Sequence, residues 1–218
     1  MSKIKTKRER VKFASDNVAG ACPEVMDAII KANEGDSTPY GNDQISTELQ
    51  DKFSEIFEKE VIVFPTASGT AANALALSTM TPSFGNIYCH KLSHINTDEC
   101  GAPEFYTGGG KLVTLQGIRG KITADKLDEA IGGKGIVHHT QPSSVSITQV
   151  CESGEVYQLE EIKKISDIAH NHNLNMHMDG ARFANALVSL DATPAEMTWK
   201  SGIDVLSFGA TKNGCLAA

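Results

Sequence analysis

A chain of 218 residues, 40% hydrophobic and 22% charged, carries enough apolar material for one large globular domain rather than two small ones. Its formal charge of −7 argues against nucleic acid or an anionic membrane as a general partner, and no apolar run approaches the ~18 residues that cross a bilayer. Five scattered cysteines, without a C-x-x-C pair, point to free thiols in a reducing compartment, so a cytoplasmic location is expected.

In chain order, the first feature is KIKTKRERVK (3–12), with six Lys or Arg against one Glu. No apolar h-region follows it, so residues 1–12 are expected to form a solvated basic arm rather than a signal peptide, with the folded domain running from 13 to 218. PEVMDAIIKANEG (23–35) has a proline at its start and a glycine at its end, the punctuation of a helix. STELQDKFSEIFEKE (46–60) sets Leu49, Phe53, Ile56 and Phe57 on one helical face. VIVFP (61–65) reads as a short buried strand and SGTAANALALSTM (68–80) as the helix after it. NIYCH (86–90) and KLVTL (111–115) are further strands, TADKLDEAIGG (123–133) a capped helix, and GIVHHT (135–140) the next strand. The amphipathic helix YQLEEIKKISDIAHNHN (157–173) precedes the strand LNMHMD (174–179), the helix ARFANALVSL (181–190) and a last strand, DVLSFGA (204–210). This alternation predicts an α/β fold of three layers, a largely parallel sheet with helices on both faces. Ligands of such folds bind beyond the carboxyl ends of the strands, so the residues just past each strand carry the functional argument.

Four strand ends stand out. Ser68-Gly69-Thr70 opens a helix with small residues, a geometry suited to an anion such as phosphate; a plain Ser or Thr helix cap accounts for the same residues. The spacing is neither a P-loop nor a dinucleotide fingerprint. His94, a few residues past NIYCH, could stack on an aromatic cofactor, relay protons or cap a turn. Asp179 ends a buried strand, where a carboxylate needs a cationic partner: a protonated ring nitrogen, or Arg182 three residues on. Lys212 follows the last strand 33 positions later, and in a doubly wound sheet it can reach the same edge, near enough for Schiff-base chemistry with pyridoxal phosphate. His170, His172, His177 and Asp179, with His138 and His139 elsewhere, raise the idea of a metal. Helix and strand periodicity separates them, however, and histidines at a helix C-terminus have their own electrostatic reason, so no metal is expected.

The segments FASDN (13–17), YGND (40–43), SGTAAN (68–73), SHINTDECG (93–101), MHMDGARFANA (176–186) and SFGATKNG (207–214) occur in the order found in low-specificity threonine aldolases, which the chain resembles. These belong to the β-eliminating lyases among fold-type I pyridoxal-phosphate enzymes. The resemblance implies the mostly parallel sheet of an aspartate-aminotransferase-like large domain. It implies that Lys212 carries the cofactor, that Asp179 pairs with the pyridine nitrogen, and that His94 stacks on the ring. Ser68, Gly69 and Thr70 would hold the phosphate, with Ser207 or Thr211, and Ser15 and Arg182 would bind the substrate carboxylate. The implied reaction is cleavage of L-threonine or related β-hydroxy amino acids to glycine and an aldehyde, with His94 or a nearby water as proton acceptor, in a homodimer or homotetramer. Members of the family continue through a further small domain of ~100 residues. That domain is expected to be absent here, which leaves the large domain incomplete at its C-terminus. Two other readings are a different fold-type I lyase or transaminase, and a non-catalytic fragment that folds and self-associates.

Overall fold

A computed structural model describes residues 14–216; the basic arm expected at 1–12 lies outside them. The elements run α1 (Pro23–Ala32), α2 (Gln44–Ile56), α3 (Gly69–Met80), β1 (Gly85–His90), α4 (His94–Thr97), α5 (Ala102–Tyr106), β2 (Lys111–Leu115), α6 (Ala124–Ala130), β3 (Gln141–Thr148), α7 (Leu159–Asn171), β4 (Asn175–Gly180), α8 (Phe183–Leu190), α9 (Pro194–Met197) and β5 (Val205–Phe208). The five strands form one parallel sheet in the order β2-β1-β3-β4-β5. After β1 the chain adds β2 on one side, then crosses back so that β3 to β5 build outward on the other. The strand order therefore reverses between β1 and β3, the switch point beyond whose carboxyl ends folds of this kind hold ligands in a crevice.

Burial explains the strand positions. β1 is buried at every residue, and the main core joins Tyr88, Val145, Ile147, Met176 and Met178 of the sheet to Ile162, Ile165 and Ala169 of α7 and to Phe183 and Ala186 of α8. α7 is held at its start by a reciprocal cap between Gln158 and Glu161 and turns its apolar stripe inward.

Two expected strands are not strands. The Val61–Phe64 stretch is irregular, with Ile62 76% and Phe64 78% exposed, and it is tied to α2 by the Gln50 side chain, which bonds both the N–H and the carbonyl of Val63. GIVHHT forms successive turns, with Val137 92% exposed and the Gln141 amide capping the turn carbonyls. The sheet strand comes directly afterwards, in QPSSVSIT. Two of its serines are buried because each finds a partner: Ser144 Oγ lies 2.7 Å from Thr81 Oγ1, and Ser146 Oγ 2.9 Å from His177 Nδ1.

Candidate active site

His94 and Lys212 each follow the carboxyl end of a strand and Asp179 stands at one, so all three lie at one end of the sheet, whereas Ser68-Gly69-Thr70 follow no strand and open α3, whose Asn73 reaches Asp179. Asp179 sits in register with Ser207 on β5 and Thr148 on β3. It is only 4% exposed, and its two oxygens are oriented separately: Oδ1 accepts from the Ala181 N–H at 3.1 Å and Oδ2 from Asn73 Nδ2 at 3.1 Å. The close turn that follows depends on Gly180, since a Cβ there would fall 2.9 Å from the Ser207 carbonyl oxygen and 2.7 Å from Leu206 Cδ1.

Asn73 extends this contact across the crevice. The same Nδ2 donates to Glu99 Oε1 at 2.7 Å, and Glu99 Oε1 is 2.8 Å from His94 Nδ1. His94, Glu99, Asn73 and Asp179 thus form a continuous hydrogen-bonded chain from the loop after β1 to the end of β4. Burial pushes the Glu99 carboxyl above its usual range, with the bonds from Asn73 and His94 pulling the other way.

One turn before Asn73, α3 begins. Ser68 caps it by accepting from the Ala71 N–H at 3.2 Å. Among the described residues the Gly69 and Thr70 amides donate to no protein acceptor, and nothing lies within 4 Å of where a Gly69 side chain would start. This leaves an open helix N-terminus of the kind that receives an anion.

Lys212 lies in a short 3-10 turn (Thr211–Asn213) beyond β5, its side chain 17% exposed and its Nζ 3.8 Å from Asp16 Oδ1. Asp16 also accepts from Arg182 Nε at 2.6 Å, and Glu152 approaches the same guanidinium at 3.6 Å. Arg182 therefore pairs with Asp16 and Glu152 rather than with Asp179, and its Nη1 is buried without a hydrogen bond. The Asp16 carboxyl is held below its usual range: burial opposes this, but the Arg182 bond and the Arg182 and Lys212 charges prevail. Ser15 is exposed and its hydroxyl accepts from the Asn17 N–H. Thr211 is half-buried beside Lys212, whereas the Ser207 hydroxyl is engaged inside the sheet, 2.9 Å from His177 Nε2.

The histidines considered for a metal are dispersed. His170 pairs with Asp204, His172 with Asp128, and His177 is enclosed between Ser146 and Ser207. Among the described residues no three His, Cys, Asp or Glu side chains converge. Asn73, Glu99 and Asp16 were not singled out in the sequence. Asn73 could have been, as it stands three residues after Thr70 on the same helical face.

The parallel sheet, its reversal point and the cluster of polar groups at its carboxyl end define an α/β domain with a ligand crevice at the switch point. The chain belongs to the beta-eliminating lyase family, whose model matches residues 12–217. It is 48% identical over 202 residues to the low specificity L-threonine aldolase of Pseudomonas sp. (strain NCIMB 10558) and 44% identical over 202 residues to that of Pseudomonas aeruginosa, covering 93% of this chain in each case. A solved structure of Leishmania major threonine aldolase superposes with a TM-score of 0.86 at 29% identity, covering 93% of this chain and 59% of that one. The chain spans 58% of the length of the two Pseudomonas relatives.

Proposed function

We propose that residues 13–218 are the pyridoxal-phosphate-binding part of a low-specificity L-threonine aldolase, which cleaves L-threonine and related β-hydroxy-α-amino acids to glycine and an aldehyde. The observation that supports this reading is that Lys212 follows β5, the buried Asp179 carboxylate stands at the end of the adjacent β4, and Asn73 of α3, the helix with open first amides, bonds Asp179. These residues fit the cofactor: a buried carboxylate suits a protonated ring nitrogen, and free amides at a helix start suit a phosphate. When bound, pyridoxal phosphate supplies an aldehyde that captures an amine and a ring that accepts the electron pair released at Cα.

The chain's own residues do the rest. Lys212 Nζ holds the cofactor, and the Gly69 and Thr70 amides receive its phosphate, with the Ser68 and Thr211 hydroxyls beside them. Ser207, bonded to His177, supports the strand from within. Asp179, fixed by Asn73 and the Ala181 amide, would keep a proton on the ring nitrogen, so that the ring could act as an electron sink. Arg182 takes the substrate carboxylate in place of the Asp16 carboxylate that now sits on it, with Ser15 one residue away on the same loop. His94, a third exposed, would stack on the ring and accept the β-hydroxyl proton directly or through a water.

Five free cysteines agree with a cytoplasmic enzyme, and exposed apolar groups in the first third of the chain agree with a homodimer or homotetramer. The test is aldehyde release from L-threonine by the protein supplemented with pyridoxal phosphate, followed by coupled reduction. Release in the wild type and its loss in Lys212→Ala supports the reading. Amino transfer to a keto acid without aldehyde release replaces it with a transaminase.

A further inference from the structure

The chain His94–Glu99–Asn73–Asp179 contains more than a stacking histidine and an acid held by an amide, and Glu99 has no part in the reading above. Glu99 has a fully buried side chain, and its Oε1 receives two contacts, Asn73 Nδ2 at 2.7 Å and His94 Nδ1 at 2.8 Å. Its other oxygen, Oε2, is buried without a hydrogen-bond partner among the described residues. An amide nitrogen can only donate, so Oε1 is already an acceptor in this chain. A proton placed on Oε2 would be a buried donor with no acceptor, and would still leave Oε1 to accept from the imidazole. Both states put the His94 hydrogen on Nδ1; a proton on Oε1 itself, which could accept from Asn73 and donate to Nδ1 together, is the one state that reverses it, and an Nε2-protonated His94 would report it. Nε2 makes no hydrogen bond among the described residues, and the His94 side chain is a third exposed. A carboxylate that holds one imidazole nitrogen and leaves the other as a lone pair is how a histidine is prepared to take a proton.

We propose that Glu99 is a positioning residue that holds His94 in its Nδ1-protonated tautomer, leaving the Nε2 lone pair unengaged, and that Asn73 couples this pair to Asp179 through a single amide. Asn73 spends one N–H on each carboxylate, so a shift of either acid alters the orientation of the other. The tautomer stands on these contacts alone; its use as a proton acceptor rests on the aldolase reading.

The test is a long-range 1H–15N spectrum of the full chain labelled with 15N-histidine, recorded without cofactor, with His94 assigned through His94→Asn. The wild type is expected to show Nδ1–H at His94. Glu99→Gln, whose Oε1 can accept the same two bonds, is expected to keep that pattern, and Glu99→Ala to move His94 to the Nε2–H form that an unrestrained imidazole favours. A wild-type His94 protonated on Nε2 overturns the proposal whether or not the variants fold, and so does an unchanged tautomer in folded Glu99→Ala. With substrate and cofactor present, Glu99→Ala is expected to lower kcat by about 10-fold or more with little change in KM, the effect of a lost outer partner; an unchanged kcat overturns the coupling to catalysis. Because the spectra need neither cofactor nor substrate, their failure leaves the aldolase reading intact. Absence of aldehyde release from the wild type removes that reading and leaves the tautomer.

Discussion

His177 is enclosed between the hydroxyls of Ser146 and Ser207, two residues before Asp179 on the same strand. Burial pulls its imidazole down to about 4, although the Asp179 charge draws it the other way. Unfolded, the same side chain titrates at its ordinary value, so between about 4 and 6.5 the unfolded state binds more protons than the native one. Stability should therefore be full above that window and fall as the pH drops through it, by an amount on the order of a few kcal/mol. Glu99 acts in the opposite sense, because its raised carboxyl favours the native state as the pH falls just above the usual carboxylate range. Denaturant titrations at pH 7 and pH 5 should show a smaller acid loss in His177→Gln than in the wild type; equal losses would show that the buried imidazole is not the cause. Asp179→Asn tests the neighbouring carboxylate. It should retain bound pyridoxal phosphate while kcat falls about 10²-fold or more, the scale of losing one preorganised charge, and an unaltered kcat would remove Asp179 from the mechanism.

Element by element, the site depends on where strands stop and how tightly the next turn closes. β5 passes into the Lys212 turn through Gly209, where a Cβ would lie 2.7 Å from Ala181 Cα and 2.8 Å from the Ala181 carbonyl oxygen. Both neighbours are backbone of the turn after Asp179 and cannot move aside without displacing the site. Gly209→Ala should cost about 1–3 kcal/mol in chemical denaturation and weaken cofactor retention together; a stable variant with normal retention would show that the turns are not in mutual contact. The same level explains what the sequence made legible. β1, β2, β4, β5 and the long helices were readable from apolar periodicity, and the rule that ligands sit past parallel strands led directly to His94, Asp179 and Lys212. β3 was not readable, because SSVSIT looks polar until Ser144 and Ser146 are seen to bond to Thr81 and His177. GIVHHT and VIVFP misled for the converse reason: both are apolar enough for a strand, but each is held in an irregular path by a glutamine side chain. Asn73 reaches Glu99 across 26 positions and Asp179 across 106, separations at which no local pattern reports the contact.

For the molecule as a whole, burial is uneven. Within residues 14–66 only Phe57 is fully buried, while Met26, Ile29, Ile30, Tyr40, Ile62 and Phe64 face outward. Apolar surface of that extent is unusual on a monomer, so light scattering should give the mass of a dimer or tetramer; a monomer across the micromolar range would contradict the proposed assembly. The account depends most of all on a covalent attachment to one amine among many lysines. Borohydride reduction of the protein with pyridoxal phosphate, followed by peptide mass mapping, reports that attachment directly. The result predicted is a stable adduct confined to Lys212 and missing from Lys212→Ala; an adduct spread over surface lysines, with Lys212 unmodified, would contradict the account.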